Sequence, residues 1–503
     1  MSNSLKIFKS TVKDFLISLC VVFLAMFVIS CEEEEADAPT VFVESIEVTG
    51  EEITEGTTRQ MTVTIMPENA NDKSVTWNSS DPSVAAVSSG GLVTALKNGI
   101  VTISATANDR ATITGSTTLK ITSFDGGGSG ETSADYIVNT SAELLAAISA
   151  AQPGEVIEMQ GGTYELFSKI RIVNSGTAEQ MITLRGAMEG GRPKLDFSAM
   201  SESSSNQGMV VEADFWHIKG IDFFRAGDNG MQVKGNNNLI EFCTFSECSD
   251  TGLQIDNGAS NNTILNCDSY FNADSSIENA DGFACKLTAG TGNKFIGCRA
   301  WNNLDDGWDG YLRGTDNITT TYENCWAIRN GLIKDGTVGG GDGNGFKTGG
   351  SDDKLLKHNA IYTNCLAIEN VVDGFDHNSN RGVVTIYNCS AYGNGRNYNF
   401  SNTNPLEKLI LKNSLALGDF GSTNATTQDI TNNNWTLSLT VTEEDFENID
   451  VNELLSPRKA DGSLPDIGFM HLTAGSDLID KGVDVGLEFN GVAPDLGAFE
   501  FNN

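Results

Sequence analysis

Four aspartates near the middle of the chain have the residue type and spacing of a metal site. Asp281 directly precedes a glycine. Asp305 and Asp306 precede a later glycine in the same setting, and Asp309 follows it. Carboxylates gathered on one patch of surface repel each other, and such a patch persists mainly when a cation is bound. Because all the ligands are hard oxygens, without histidine or thiolate, we expect Ca²⁺ rather than zinc or copper.

Lys347 follows these aspartates after a glycine-rich insertion at 339–345. A neighbouring divalent charge favours the neutral amine, which can then remove a proton. The same ion can neutralise the carboxylate of a uronate sugar and acidify the carbon-bound proton beside it. Together these groups fit β-elimination of a uronate polymer. Lys286 is the alternative base.

A repeat in six copies must bring these residues together. The copies align on cysteines, and an asparagine follows the cysteine in every copy except the first, where Cys248 takes its place. The aligned residues are Cys243, Cys267, Cys298, Cys325, Cys365 and Cys389, followed by Asn272, Asn303, Asn330, Asn370 and Asn394. A strand-rich repeat of this length, with insertions between copies, predicts a parallel β-helix with three short strands per turn.

The glycine of each repeat sets a register that sorts the side chains into columns. The apolar residue after the glycine should point inward and the next residue outward. The outward column is Gln232, Gln254, Ala284, Asp309, Lys347 and Asp376. The column before the glycine is Asn229, Thr251, Asp281, Asp306, Asn344 and Asp373. We therefore expect Asp281 and Asp306 on adjacent coils, with Lys347 in the coil after Asp309.

The predicted fold class is all-β, with one helix as an end cap. The buried cysteine and asparagine columns have a structural role, in which asparagines hydrogen-bond up the stack and small thiols fill the interior. Thr140 and Glu143 form a capping box that opens a helix through about Ala151. This helix should cover the open apolar end of the first coil, where exposed strand edges would otherwise invite association.

Composition and the N-terminal residues bound the partners and the location. The 503 residues include 67 Asp and Glu against 32 Lys and Arg, for a net charge of -35, which argues against nucleic acid. Residues 1–30 have the charge and apolar run of a lipoprotein signal peptide, with Cys31 as the lipidated residue. An ordinary membrane anchor fits less well, because the apolar run at 15–29 is short for a span. Residues 31–40 form an acidic tether, and we expect an outer-membrane lipoprotein exposed at the cell surface.

The segment 41–123 has the short alternating strands of a small β-sandwich. Its motif VTWNSSDPSVAA at 75–86 resembles the bacterial immunoglobulin-like group 2 family. Such modules serve mainly as spacers, with glycan binding as the alternative. A Gly/Ser linker at 124–133 follows, and the β-helix domain occupies 134–503.

Four motifs of the β-helix resemble polysaccharide lyase family 9. They are NADGFACK at 279–286, GCRAWNNLDDGWD at 297–309, GDGNGFKTGG at 341–350 and VVDGFDHNSNRG at 371–382. The resemblance spans about 134–501 and implies a right-handed parallel β-helix that acts as a calcium-dependent pectate lyase. It implies calcium ligands at Asp281, Asp305, Asp306 and Asp309, and it makes Lys347 the base that removes the C5 proton of galacturonate. The product would be 4,5-unsaturated.

Several alternatives stay open at the level of sequence. The nearest is a rhamnogalacturonan I lyase on the same scaffold, since both polymers of plant origin present the same uronate. A hydrolytic polygalacturonase fits less well, because the carboxylates cluster for a metal beside a lysine. A non-catalytic glycan-binding β-helix at the cell surface is the third. Further substrate carboxylates could be held by Arg299, Arg313, Arg381 and Arg396. We expect a monomer.

Overall fold

The chain folds into two compact units divided at Gly128–Ser129. The structure is a computed structural model that describes residues 40–50, 52–53, 58–80, 84–88, 90–95, 99–110, 112–121, 133–187 and 190–501. Within these ranges no helix has the length and apolar character needed to cross a membrane. The predicted signal peptide, Cys31, nearly all of the tether and most of the linker lie outside them. The predicted domain limits therefore stay predictions.

The first unit is a small antiparallel β-structure. Its eight strands within the described residues are Ser45–Thr49, Thr58–Gln60, Thr62–Met66, Val75–Ser79, Ala85–Val87, Leu92–Ala95, Gly99–Ala107 and Thr114–Ile121. They pair antiparallel in one two-stranded and two three-stranded sheets. Alternate residues of the longest strand, such as Val101 and Ile103, are buried in a core shared with Val48, Val93 and Leu119. This alternation is the period that the sequence shows.

The second unit is a parallel β-helix built from three sheets. Sheet A contains Tyr136–Val138, Val156–Met159, Ile182–Gly186, Trp216–Lys219, Leu239–Glu241, Thr263–Leu265, Asn293–Ile296, Ile318–Glu323, His358–Thr363, Val383–Tyr387, Leu406–Lys412 and Ala425–Thr431. Sheet B contains Gly162–Glu165, Pro193–Asp196, Asp222–Phe224, Thr244–Ser246, Asp268–Tyr270, Arg299–Trp301, Trp326–Ile328, Leu366–Ile368, Ser390–Tyr392 and Leu415–Leu417. Sheet C contains Ile170–Ile172, Met209–Val211, Met231–Val233, Leu253–Ile255, Phe283–Cys285, Trp308–Asp309, Phe346–Lys347, Asp373–Asp376, Arg396–Phe400 and Ser422–Thr423. Ten coils contribute one strand to each sheet, and sheet A has one further strand at each end, which confirms the predicted fold class.

Sheet C has the register that the glycines predict. Phe283 pairs with Trp308, and Trp308 with Phe346, so these rings stack at centroid distances of 5.2 and 4.8 Å inside the helix. On the opposite face Asp309 pairs directly with Lys347. Since neighbouring strands lie about 4.8 Å apart, this pairing brings side chains of successive coils within contact distance. The register therefore fixes which polar groups meet on the outer face.

An asparagine ladder locks the turns between sheets B and C. In each step the amide nitrogen of one asparagine donates to the side-chain oxygen of the next, as from Asn303 to Asn330 at 3.0 Å and from Asn330 to Asn370 at 2.9 Å. The column extends from Asn272 to Asn394 as predicted, and its members are buried. All eight cysteines of the described residues are free thiols buried in the interior. Both columns thus have the structural role expected of them.

The single described α-helix, Ser141–Ala150, covers the first coil. Thr140 and Glu143 form the predicted capping box. Leu144, Ala147 and Ile148 are buried and belong to the same core as the β-helix interior. After the last coil the chain contains two 3₁₀ helices, Glu443–Asp445 and Val451–Leu455, in a segment that packs on sheet B.

Candidate active site

The outward side chains of sheet C form the floor of a cleft. Asp309 and Lys347 point away from the interior, yet they are only 5% and 8% exposed. On each flank of the sheet, loops of different coils are joined by hydrogen bonds. Before the strands, Gly340 donates its N–H to the carbonyl of Ile277, and after them Tyr311 donates its hydroxyl to Asp352. Outward side chains reach such burial only where loops rise beside them. Groups in this cleft are therefore largely shielded from solvent.

Three of the four predicted aspartates converge closely. Asp281, Asp305 and Asp306 each present a carboxylate oxygen, and these oxygens lie within 4.8 Å of one another. Asp281 lies one coil before the other two, and its Oδ2 accepts from the Thr251 hydroxyl at 3.0 Å. Asp306 Oδ1 accepts from both the backbone and the side-chain nitrogen of Asn344, at 2.9 Å each. Neighbouring coils thus hold the carboxylates in place.

Asp309 joins the cluster through two lysines. Lys347 Nζ lies 3.0 Å from Asp306 Oδ2 and 3.8 Å from Asp309 Oδ1. Lys286 Nζ lies 2.7 Å from Asp281 Oδ2 and 3.3 Å from Asp309 Oδ2. Lys286, the alternative base, therefore belongs to the same cluster as Lys347. All four aspartates and Lys347 meet on one patch, as the register predicts, and Lys286 joins them through the reach of its side chain.

Burial dominates the ionisation of the carboxylates. Desolvation, reinforced by Asp281, raises the pKa of Asp305 to about 7. Desolvation likewise raises the pKa of Asp281 and, well above its usual value, that of Asp306. The pKa of Asp309 is instead lowered, because Lys347 and Lys286 outweigh its burial. Burial is thus a larger cause of the raised pKa values of Asp281, Asp305 and Asp306 than the repulsion between the carboxylates.

The lysines are held in the charged form. Burial lowers the pKa of Lys347, but the carboxylates around it, Asp306 foremost, outweigh that cost and raise the pKa well above its usual value. The pKa of Lys286 is raised in the same way by Asp281 and Asp309 against its burial. An ammonium group cannot accept a proton. Lys347 can therefore act as a base only when another cation satisfies the carboxylates.

Two residues of the glycine-rich insertion belong to the site although the sequence did not single them out for it. Asp342 Oδ2 lies 2.7 Å from Lys347 Nζ, and the backbone N–H of Asp342 donates to Asp305. Asn344 holds Asp306 as described above. The sequence could have indicated Asn344, because it stands in the stacked column before the glycine. Asp342 lies in an irregular loop, whose contacts the register does not predict.

The four candidate arginines are dispersed. Arg299 is buried on sheet B in a bidentate pair with Asp268, so it stabilises the C-terminal segment rather than the cleft. Arg396 lies on sheet C and pairs with Asp373 at 2.6 Å. Arg313 lies 3.5 Å from Asp352 and is largely exposed. Arg381 follows a sheet C turn and has no side-chain partner among the described residues.

The donor set fits a hard divalent cation. Asp306 Oδ2 is buried and has no hydrogen bond of good geometry from any described residue, although Lys347 is its near neighbour. A buried oxygen of this kind requires a partner. With Asp281, Asp305 and Asp309 beside it, the oxygens are those that Ca²⁺ prefers, and no histidine or thiolate is among them.

A parallel β-helix whose cleft combines a buried lysine with an acidic cluster that could bind a cation has the features of a β-helix polysaccharide lyase. Residues 127–424 match the family described as Pel9A-like, right handed beta helix region. The chain therefore belongs to this family, polysaccharide lyase family 9, and it is a polysaccharide lyase. Residues 42–117 match the bacterial Ig-like domain (group 2). The sequence-based recognition of both families is confirmed.

Relatives and solved structures give the same grouping. Pectate lyase L of Dickeya chrysanthemi is 37% identical over 378 residues, covering 72% of this chain and 87% of that protein. The crystal structure of pectate lyase Pel9A matches with a TM-score of 0.64 and 35% identity over 71% of this chain and 90% of that one. The structure of a rhamnogalacturonan lyase matches with a TM-score of 0.61 and 27% identity, covering 67% of this chain and 97% of that one.

Proposed function

We propose that this protein is a calcium-dependent pectate lyase that cleaves galacturonate-containing pectic polysaccharide by β-elimination. The observation that carries the proposal is the buried cluster of Asp281, Asp305, Asp306 and Asp309, in which Lys347 Nζ lies 3.0 Å from Asp306 and 3.8 Å from Asp309. The names of the relatives, pectate lyases among them, support the substrate class.

The four aspartates would hold the calcium. Bound there, the ion would relieve the negative charge that keeps Lys347 protonated, neutralise a substrate carboxylate and acidify the proton at C5. Lys347 Nζ takes that C5 proton. The electron pair left behind forms the C4–C5 double bond, the C4–O bond breaks, and the departing oxygen takes up a proton. This elimination requires no hydrolytic water.

Product analysis tests this proposal. Purified protein is incubated with polygalacturonate and with rhamnogalacturonan I, each with calcium and with a chelator. We expect an unsaturated product, detected by its ultraviolet absorbance and by mass, only when calcium is present. Saturated products would indicate hydrolysis, and full activity in chelator would contradict the calcium site.

Rhamnogalacturonan I is the second candidate substrate. The structure of a rhamnogalacturonan lyase superposes nearly as well as that of pectate lyase Pel9A, and it matches over almost its whole length. Since both polymers contain galacturonate, the same cluster would serve either one. The sugar units beside the eliminated uronate would then decide between them.

For the location, we propose an outer-membrane lipoprotein anchored through Cys31. The charged start, apolar run and cysteine of residues 1–31 support it. The Ig-like unit would then act as a spacer between the membrane and the lyase unit, holding the cleft towards polymer outside the cell.

A further inference from the structure

The cleft floor continues beyond the cluster into the preceding coils of sheet C, where a second polar network lies. Asp256 Oδ2 accepts from the side-chain amide of Gln232 at 2.9 Å and from that of Gln254 at 2.8 Å. Gln232 and Gln254 are paired in the outward column of adjacent coils. All three side chains are more than nine-tenths buried. Because they face away from the apolar core, their polar groups face the cleft.

This network contains an acceptor that the protein leaves without a donor. The second carboxylate oxygen of Asp256, Oδ1, is buried and has no hydrogen-bond partner among the described residues. The side-chain oxygen of Asn229, in the neighbouring column, is in the same state, while its nitrogen donates to Asp228 at 3.3 Å. Buried polar atoms in folded proteins are hydrogen-bonded, so these oxygens require donors. The two glutamines already fix the other carboxylate oxygen.

The network directly adjoins the catalytic cluster. Gln254 pairs in register with Ala284, which in turn pairs with Asp309. Thr251, from the same coil as Gln254, donates its hydroxyl to Asp281. A polymer chain lying along the cleft with one uronate at the cluster therefore places a neighbouring sugar over Gln254 and Asp256.

We propose that Gln232, Gln254 and Asp256 form a subsite for an uncharged sugar unit of the polymer. Sugar hydroxyls supply the donors that Asp256 Oδ1 and Asn229 Oδ1 lack. Charged and neutral sugar units both carry hydroxyls, so the preference between them rests on charge: an ionised uronate carboxylate has no donor and would be repelled by Asp256. This inference rests on the proposed function and narrows it, because the unit next to the eliminated galacturonate is then a neutral sugar, such as rhamnose, or an esterified galacturonate.

The nearby cations do not reverse this preference. Lys169 donates to Gln207 at 2.8 Å, and Gln207 donates to Asp228 at 2.6 Å, so this lysine is engaged within the network. Lys234 and Lys286 occupy the positions beside Asp256 on the coils before and after it. Lys234 is half-buried and forms no ion pair with the floor oxygens among the described residues. Lys286 is held by Asp281 at 2.7 Å and by Asp309 at 3.3 Å. Asp228 and Asp256 add negative charge at the floor itself. Hydroxyl donors thus remain the better match.

Asp256→Asn tests the subsite, because it removes the negative charge and keeps the size of the side chain. The wild type and the variant are each assayed on three oligosaccharides of equal length. One alternates galacturonate and rhamnose, one is methyl-esterified oligogalacturonate, and one is unesterified oligogalacturonate. We expect the wild type to prefer one of the first two, in which the unit next to the eliminated galacturonate is uncharged. The variant should shift the kcat/KM ratio towards free galacturonate about tenfold, chiefly through KM, the equivalent of one good hydrogen bond or charge contact. The first two substrates distinguish a rhamnose site from an ester site.

Gln254→Met provides a second variant of similar volume, and Asn359→Ala a control on sheet A that removes two inter-coil hydrogen bonds far from the cleft floor. Gln254→Met should raise KM for the preferred substrate, whereas Asn359→Ala should leave the substrate ratio unchanged. An unchanged ratio in Asp256→Asn, or a wild type that prefers free galacturonate, would overturn the subsite. Calorimetric binding of the same oligosaccharides tests it even if no elimination occurs, so a failure of the lyase proposal remains distinguishable.

Discussion

At the scale of single residues, the central question is which of two lysines takes the proton. Both contact the carboxylate cluster, but their neighbours differ. Lys286 lies between Asp281 and Asp309, both candidate ligands, and bridges two coils. Lys347 is also held by Asp342, which is largely exposed at the mouth of the cleft. Lys347 thus contacts both the cluster and the exposed Asp342, and we propose it as the base, whereas Lys286 fits the role of a residue that positions Asp281 and Asp309.

Lys347→Ala should abolish elimination and leave the fold and calcium affinity nearly unchanged. The variant loses the group that accepts the C5 proton, but it keeps all four aspartates. Release of unsaturated product measures activity, and calorimetry measures calcium binding. Lys286→Ala is the matched control. It removes the contacts that position Asp281 and Asp309, so calcium should bind more weakly, but turnover should remain measurable. Retained turnover in Lys347→Ala together with its loss in Lys286→Ala would transfer the catalytic role to Lys286.

Asp306→Ala should weaken calcium binding and activity together. This carboxylate is fully buried, and its removal also leaves the two nitrogens of Asn344 without their acceptor, at a cost of about 1–3 kcal/mol. Calcium titrations and activity are therefore measured on protein shown to be folded by circular dichroism. Asp335→Ala, at an exposed position before the glycine-rich insertion, is the control that should change neither quantity. Activity that no longer depends on added calcium would contradict the site.

At the scale of structural elements, stacking explains why so much of the site follows from the sequence. The glycine register alone predicts that Asp281 meets Asp306 and that Asp309 meets Lys347, because parallel pairing leaves no other arrangement of those strands. Long side chains and loops do not follow the register. The reach of Lys286 across a coil and the contact of Asp342 with Lys347 depend on side-chain and loop conformations, and so the sequence did not predict them.

Asn330→Ala tests the ladder that maintains this register. Asn330 accepts from Asn303 and donates to Asn370 and to the carbonyl of Ala300, all in the buried interior. Its loss leaves buried groups on two coils without partners, so we expect the free energy of unfolding to fall by about 2–4 kcal/mol. Chemical denaturation measures this loss. Asn359→Ala, half-buried on sheet A, should cost clearly less, and an equal cost would mean that the ladder has no special role.

At the scale of the whole molecule, net charge works against the encounter with the proposed substrates. The chain carries a net charge of -35, and its proposed substrates are polyanions, so the two repel each other over long range. Screening by salt shortens that repulsion to about 8–10 Å. Tethering to a surface and a spacer unit would keep the enzyme near polymer that its own charge does not attract.

Cys31→Ser tests the tether. Without the thiol no lipid can be attached, so the protein should move from the membrane fraction to the soluble or secreted fraction. Activity per molecule should stay the same, because the cleft lies in the other unit of the chain. Fractionation with immunoblotting gives the distribution, and labelling with a fatty-acid analogue gives lipidation directly. Protein that stays in the membrane fraction without label would show that residues 1–30 anchor the chain themselves, and the lipoprotein proposal would be wrong.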